Sequence, residues 1–120
     1  MDLEQERQQR IAKALERFSR FDASWAEMFR VYVLDGMYTR NILDQRTREL
    51  CAVAALTVLD RPPQLKDHIK GALRNGASIQ EVIEAILQTS IYGGFPTALG
   101  ALTHLEAVLE ELGLQLPAEG

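Results

Sequence analysis

The spacing of apolar positions is helical from one end of the chain to the other, and no stretch alternates as a strand would. Leu3, Arg7, Ile11, Leu15 and Phe18 follow a helical stride through a segment otherwise rich in charge and glutamine. That pattern predicts an amphipathic arm over about residues 1–21 that covers a neighbour. Asp22 or Ser24 is placed to cap a second helix, with Ser24 and Glu27 at capping-box spacing. Trp25, Met28, Phe29 and Tyr32 share one face of it, and Asp35-Gly36 ends it where glycine can turn left-handed. A third helix is expected from Asp44 to about Leu59. Its second half, Leu50-Cys51-Ala52-Val53-Ala54-Ala55-Leu56, is apolar on every face, the pattern of a central helix enclosed by others.

Pro62-Pro63 breaks the chain and opens a fourth helix, because proline suits a first turn. Leu65, His68, Ile69, Ala72 and Leu73 form its apolar face; Lys66, Asp67, Lys70 and Arg74 form the other, and Asn75-Gly76 closes it. Ser78 and Glu81 make the clearest capping box in the chain, ahead of a helix that buries Ile79, Val82, Ile83, Ile86 and Leu87. Tyr92-Gly93-Gly94-Phe95-Pro96 reads as a tight turn. The last helix carries Ala98, Ala101, Leu102, Leu105, Val108, Leu109 and Leu112 in a near-heptad stripe, and Gly113 ends it. The expected fold class is all-α, a compact bundle or array of about six helices in a single domain over 1–120.

Composition narrows the function. The chain has 120 residues, 47% hydrophobic and 25% charged, ordinary for a globular protein. The run from Leu50 to Leu59 is half the length needed to cross a bilayer, and the charged start of the chain resembles no secretory signal, so no membrane partner and a cytoplasmic location are expected. A formal net charge of −4 gives no electrostatic reason to bind nucleic acid. Cys51 is the one cysteine, which excludes a disulfide or a thiolate metal cluster within one chain; its apolar surroundings predict a buried, inert thiol. No metal or cofactor is expected.

Three features exceed what packing requires. His68 stands on an apolar face, Glu49 sits where the third helix enters its apolar run, and two glycines stand beside an aromatic pair at Tyr92–Pro96, as though backbone must approach something closely. Each also has a plain structural reading. His68 fits a core histidine with one hydrogen bond. Glu49 fits a helix-dipole partner or a pair with Arg46 or Arg48, and the glycines fit a turn.

Taken together, Leu43-Asp44-Gln45-Arg46-Thr47-Arg48-Glu49-Leu50, then His68 to Ser78, then Tyr92-Gly93-Gly94-Phe95-Pro96, closely resemble the carboxymuconolactone decarboxylase family, over a core of about residues 38–104. The resemblance implies the all-helical alkylhydroperoxidase-like fold, assembled as a homotrimer or homohexamer with sites near subunit interfaces. The thiol peroxidase branch of that superfamily carries Cys-x-x-Cys-x-x-x-His twelve residues after its Glu; here those two cysteine positions are Arg61 and Gln64. Without both thiols the disulfide cycle cannot run. The decarboxylase branch lacks the pair too and keeps a histidine corresponding to His68.

The resemblance therefore implies a cofactor-independent decarboxylase of a small carboxylated lactone from aromatic catabolism. His68 is the expected acid and Glu49 sets its tautomer. Arg40 or Arg61 holds the carboxylates, and Tyr92 and Gly94 contribute to substrate binding. This chain departs from the family pattern at Leu34-Asp35 and Asn41-Ile42, which replace Trp-Gly and Pro-Gly pairs, although Tyr38 and Arg40 are retained; a different pocket follows. Two other functions fit the same scaffold. One is an antioxidant peroxidase using Cys51 with an external thiol, and the other is a non-catalytic oligomeric binding protein.

Overall fold

Asp2 starts the first helix of the computed structural model, which describes residues 2–116. Its carboxylate accepts the Gln5 N–H at 2.7 Å, satisfying one donor that a helix start leaves open. All regular structure among the described residues is helical, in the order α1 Leu3–Phe21, α2 Ala23–Phe29, α3 Gln45–Leu59, α4 Pro62–Arg74, α5 Ile79–Gln88, the single turn α6 Ser90–Gly93, and α7 Phe95–Leu112. Counting the longer elements gives the six expected helices. No helix is long and apolar enough to cross a membrane among these residues. The chain packs as two units, which divide after Asp44.

In the first unit Asp22 is the cap of α2, accepting the Trp25 N–H at 2.9 Å. That hydrogen bond, with a second from Ser24, holds the Asp22 carboxyl below its ordinary range. Phe18 meets Trp25 and Phe29 edge-on, at 5.6 and 5.5 Å between ring centres, so α1 and α2 pack through aromatic contacts. α2 continues into one π-helical stretch, Arg30–Leu34, which the apolar spacing does not foretell. A groove of about 690 Å³ lies along that stretch, lined by Met28, Val31, Tyr32 and Met37, with Arg40 at its side.

In the second unit the core is drawn from four helices. Val53 comes from α3, Leu65, Ile69 and Ala72 from α4, Val82 and Ile86 from α5, and Leu105, Val108 and Leu109 from α7. α3 and α4 form a helical hairpin. At its turn Arg61 N–H reaches Leu56 O and Asp60 N–H reaches Thr57 O, with Asp60 itself left-handed at φ 54°. This is the Schellman arrangement, here closed by aspartate where glycine is the usual occupant. The capping box at the start of α5 is complete in both directions.

Four expectations about packing are corrected. α3 is not enclosed on every face: Val53 and Thr57 are buried, but Cys51, Ala55, Val58 and Leu59 are exposed. α4, α5 and α7 all pack against α3, and the stripe of Cys51, Ala55, Val58 and Leu59 stays exposed among the described residues. Cys51 is thus an exposed thiol, not a buried one. Lys70, expected on the polar face of α4, is buried, because Glu111 of α7 meets its ammonium at 2.7 Å and the stem is covered on the way. Leu87, expected to be buried, is exposed at the end of α5.

Candidate active site

Glu49 heads the buried stripe of α3, four residues before Val53 and eight before Thr57, so its carboxylate is carried inward with the apolar side chains. A carboxylate there needs a partner, since removing a charge from water without one is costly. The partner is His68 of α4, whose Nδ1 lies 2.9 Å from Glu49 Oε2. With Glu49 as a carboxylate, which can only accept, the ring nitrogen donates and Nδ1 carries the proton. The imidazole side chain retains 30% of its exposure while the Glu49 side chain retains 3%. One edge of the ring is therefore fixed from inside by Glu49.

This geometry bears on the plain readings of both residues. Arg46 pairs with Glu81, so its charge is directed at the start of α5, and Glu49 spends its carboxylate on His68. His68 is not a fully enclosed core histidine. A part-exposed imidazole with Nδ1 anchored by a buried carboxylate has the chemistry for proton transfer to or from a small molecule.

The other predicted site residues are distributed differently. Arg61 is the residue before α4, seven positions ahead of His68 and about 10 Å away along the helix. Its Nη1 donates to the Leu59 carbonyl at 2.9 Å. Arg40 belongs to the first unit and borders the groove there. Tyr92 lies on α6 with 82% of its surface exposed, and Gly94 links α6 to α7 with φ +90°, a conformation in which an L side chain is strained. A Cβ added to the neighbouring Gly93 would sit 3.5 Å from Val58, an ordinary van der Waals contact, so the space at this turn does not itself require glycine.

One residue of the site escapes the motif reading. Gly71 is buried in the middle of α4, where glycine costs about 1 kcal/mol relative to alanine. A Cβ built there would fall 2.1 Å from Glu49 Oε2 and 2.8 Å from its Cδ. The available signal was the glycine itself, placed inside a helical pattern three residues after His68.

The chain matches the carboxymuconolactone decarboxylase family over residues 23–107, and it belongs to that family. The match begins earlier than the motif resemblance and takes in α2. Among similar proteins, a 4-carboxymuconolactone decarboxylase of Acinetobacter baylyi is 28% identical over 87% of this chain and 78% of its own length. A nitrosuccinic acid decarboxylase of Metarhizium robertsii is 22% identical over 85% of this chain and 71% of its own. An uncharacterized protein of the cox locus of Paracoccus denitrificans is 37% identical over 64% and 68% respectively. At the level of the family, the protein is decarboxylase-like.

Proposed function

We propose that the protein is a cofactor-independent carboxy-lyase acting on a small carboxylated lactone, with His68 as the proton carrier and Glu49 as its orienting partner. The observation that carries this reading is the 2.9 Å contact between a buried carboxylate and a half-exposed imidazole. In the reaction the bond between the substrate carboxyl carbon and the ring carbon breaks and carbon dioxide leaves. The electron pair spreads into the unsaturated lactone as an oxyfuran-like dienolate. In its imidazolium form, with Nδ1–H held by Glu49, His68 gives the Nε2 proton to carbon and becomes the neutral Nδ1–H ring, which takes a proton from solvent before the next cycle, so each turnover consumes one proton. The chemistry asks for one placed acid and a cation beside the developing oxyanion. Arg61 and Arg40 are the candidate cations for the carboxylates, and Tyr92 and Gly94 the candidate contacts for the lactone. Turnover assays of the purified chain against carboxylated lactones, read as carbon dioxide release, test the reading; no release from any of them sinks it.

The names of the two decarboxylase relatives support lyase chemistry and leave the substrate open, because one acts on a lactone acid and the other on nitrosuccinic acid. The antioxidant alternative gains an accessible thiol in Cys51. Two residues along a helix are about 200° apart, so that thiol faces away from Glu49 and cannot use its pair with His68. Cys51→Ala is expected to melt within about 0.5 kcal/mol of the parent, as exposed substitutions do, and to keep full lyase activity. A peroxidase activity lost in that variant would favour the alternative.

A closed homo-oligomer, trimer or hexamer, belongs to the same proposal. Leu87, Ile91, Tyr92, Phe95 and Leu99 are all exposed on the second unit. Apolar surface on that scale calls for a partner, and a second copy of the chain supplies it by symmetry. Light scattering at micromolar concentration is expected to return at least three times the 13.5 kDa chain mass, and a stable monomer refutes it.

A further inference from the structure

We infer that Gly71 is a positioning residue: by lacking a side chain it lets the backbone of α4 seat the Glu49 carboxylate where it holds His68 in the Nδ1–H form. Glu49 reaches across from α3, and its Oε2 occupies the space a Cβ at position 71 would need, at 2.1 Å. No real Cβ tolerates that approach, and the obstacle is the functional end of the side chain. His68 and Gly71 are three residues apart on α4, so they lie on neighbouring turns of one face. The same carboxylate oxygen meets both of them: Nδ1 of the ring at 2.9 Å and the bare Cα side of Gly71. Any side chain at 71 must push the carboxylate off the line to Nδ1. The ring then loses the acceptor that selects its tautomer, and Nε2 is no longer the assured reactive nitrogen. Gly100 of α7 is the built-in control, since a Cβ there meets nothing within 4 Å.

The catalytic consequence rests on the decarboxylase proposal, whereas the positioning itself can be read without any substrate. The experiment compares parent, Gly71→Ala, Gly100→Ala, Glu49→Ala and the Glu49→Ala/Gly71→Ala double variant. It reads the ring ¹⁵N–¹H correlations of His68 and the melting temperature. The parent is expected to show the Nδ1–H form. Gly71→Ala should move His68 to the Nε2–H form or a mixture and melt lower, while Gly100→Ala leaves the ring signals unchanged and melts no lower. In the Glu49→Ala background the sign should reverse: with the carboxylate gone, Gly71→Ala should raise the melting temperature, because alanine is the better helix former. If Gly71→Ala alone does not fold, folding of the double variant upholds the inference, and failure of both overturns it. It is likewise overturned if Gly71→Ala keeps the parent tautomer, or if it destabilises equally in both backgrounds. Where a lactone is turned over, kcat of Gly71→Ala should fall about 10²-fold with KM little changed, as expected when a proton transfer loses its orientation. A parent chain with no turnover counts against the decarboxylase proposal alone, and the tautomer still decides the role of Gly71.

Discussion

His68→Gln is expected to fold like the parent and to release carbon dioxide from a carboxylated lactone about 10²–10⁴-fold more slowly, the usual cost of removing a positioned acid. Glutamine is the informative replacement because its amide can still donate toward Glu49, so the buried carboxylate keeps a partner while the proton carrier is lost. His68→Ala removes both functions at once and leaves a charge inside without its ring partner, which confuses unfolding with inactivity. Glu49→Gln is the complementary change. It keeps the volume but can present an N–H to Nδ1, which favours the opposite tautomer, and a drop of about 10²-fold or more is expected. Circular dichroism and light scattering run beside the rate assay separate the outcomes. Parent-like turnover by a folded His68→Gln would remove the ring from the mechanism. Loss of folding in that variant would return His68 to a structural role.

The largest effect on stability is expected from Leu105→Ala. Leu105 retains 1% of its exposure and lies among the residues of all four core helices. Truncating such a leucine costs about 2–5 kcal/mol, through lost transfer energy and the cavity left behind. For a chain of this size that lowers the melting temperature by roughly 8–20 °C. Leu99, a turn and a half earlier on the same helix, retains 61% of its exposure. In an isolated chain its truncation would stay within about 0.5 kcal/mol. The oligomer proposal expects more: Leu99→Ala should lower the melting temperature by an amount that grows on dilution, because the side chain is covered by a second copy. Scanning calorimetry at several protein concentrations reads both variants. A concentration-independent, near-zero effect at Leu99 would take that face out of the interface, and a small effect at Leu105 would contradict the core.

Local chemistry explains which parts of this structure were legible beforehand. Helix ends are written by short-range rules: Pro62-Pro63 does open α4, Ser78 with Glu81 does cap α5, and Gly113 does end α7. The pairing of Glu49 with His68 was also within reach, because an inward carboxylate and an inward imidazole on consecutive helices have few other partners. Burial beyond the single helix was not. Cys51 and Ala55 are as apolar as Val53, so composition cannot say that α3 is covered on one side only. Lys70 reads as solvent-facing until Glu111, far along the chain, is seen to lie over it. The π-helical stretch after Phe29 has no residue signature at all. Gly71 inside a helical pattern carries no such reading by itself, because its meaning required knowing which atom stood opposite.

The carboxylate of Glu81 has two addresses. One oxygen accepts the Ser78 N–H at 2.9 Å, closing the cap of α5, and the other pairs with Arg46 in the first turn of α3. The two helix starts are thereby linked by a single side chain, so fraying of α3 at Arg46 gives up a contact of the α5 cap. Hydrogen exchange is expected to show the first turns of α3 and α5 opening together, and independent opening would refute the link. Glu49 sits one turn downstream of Arg46, so the carboxylate proposed to orient His68 stands one helical turn from the link to that cap.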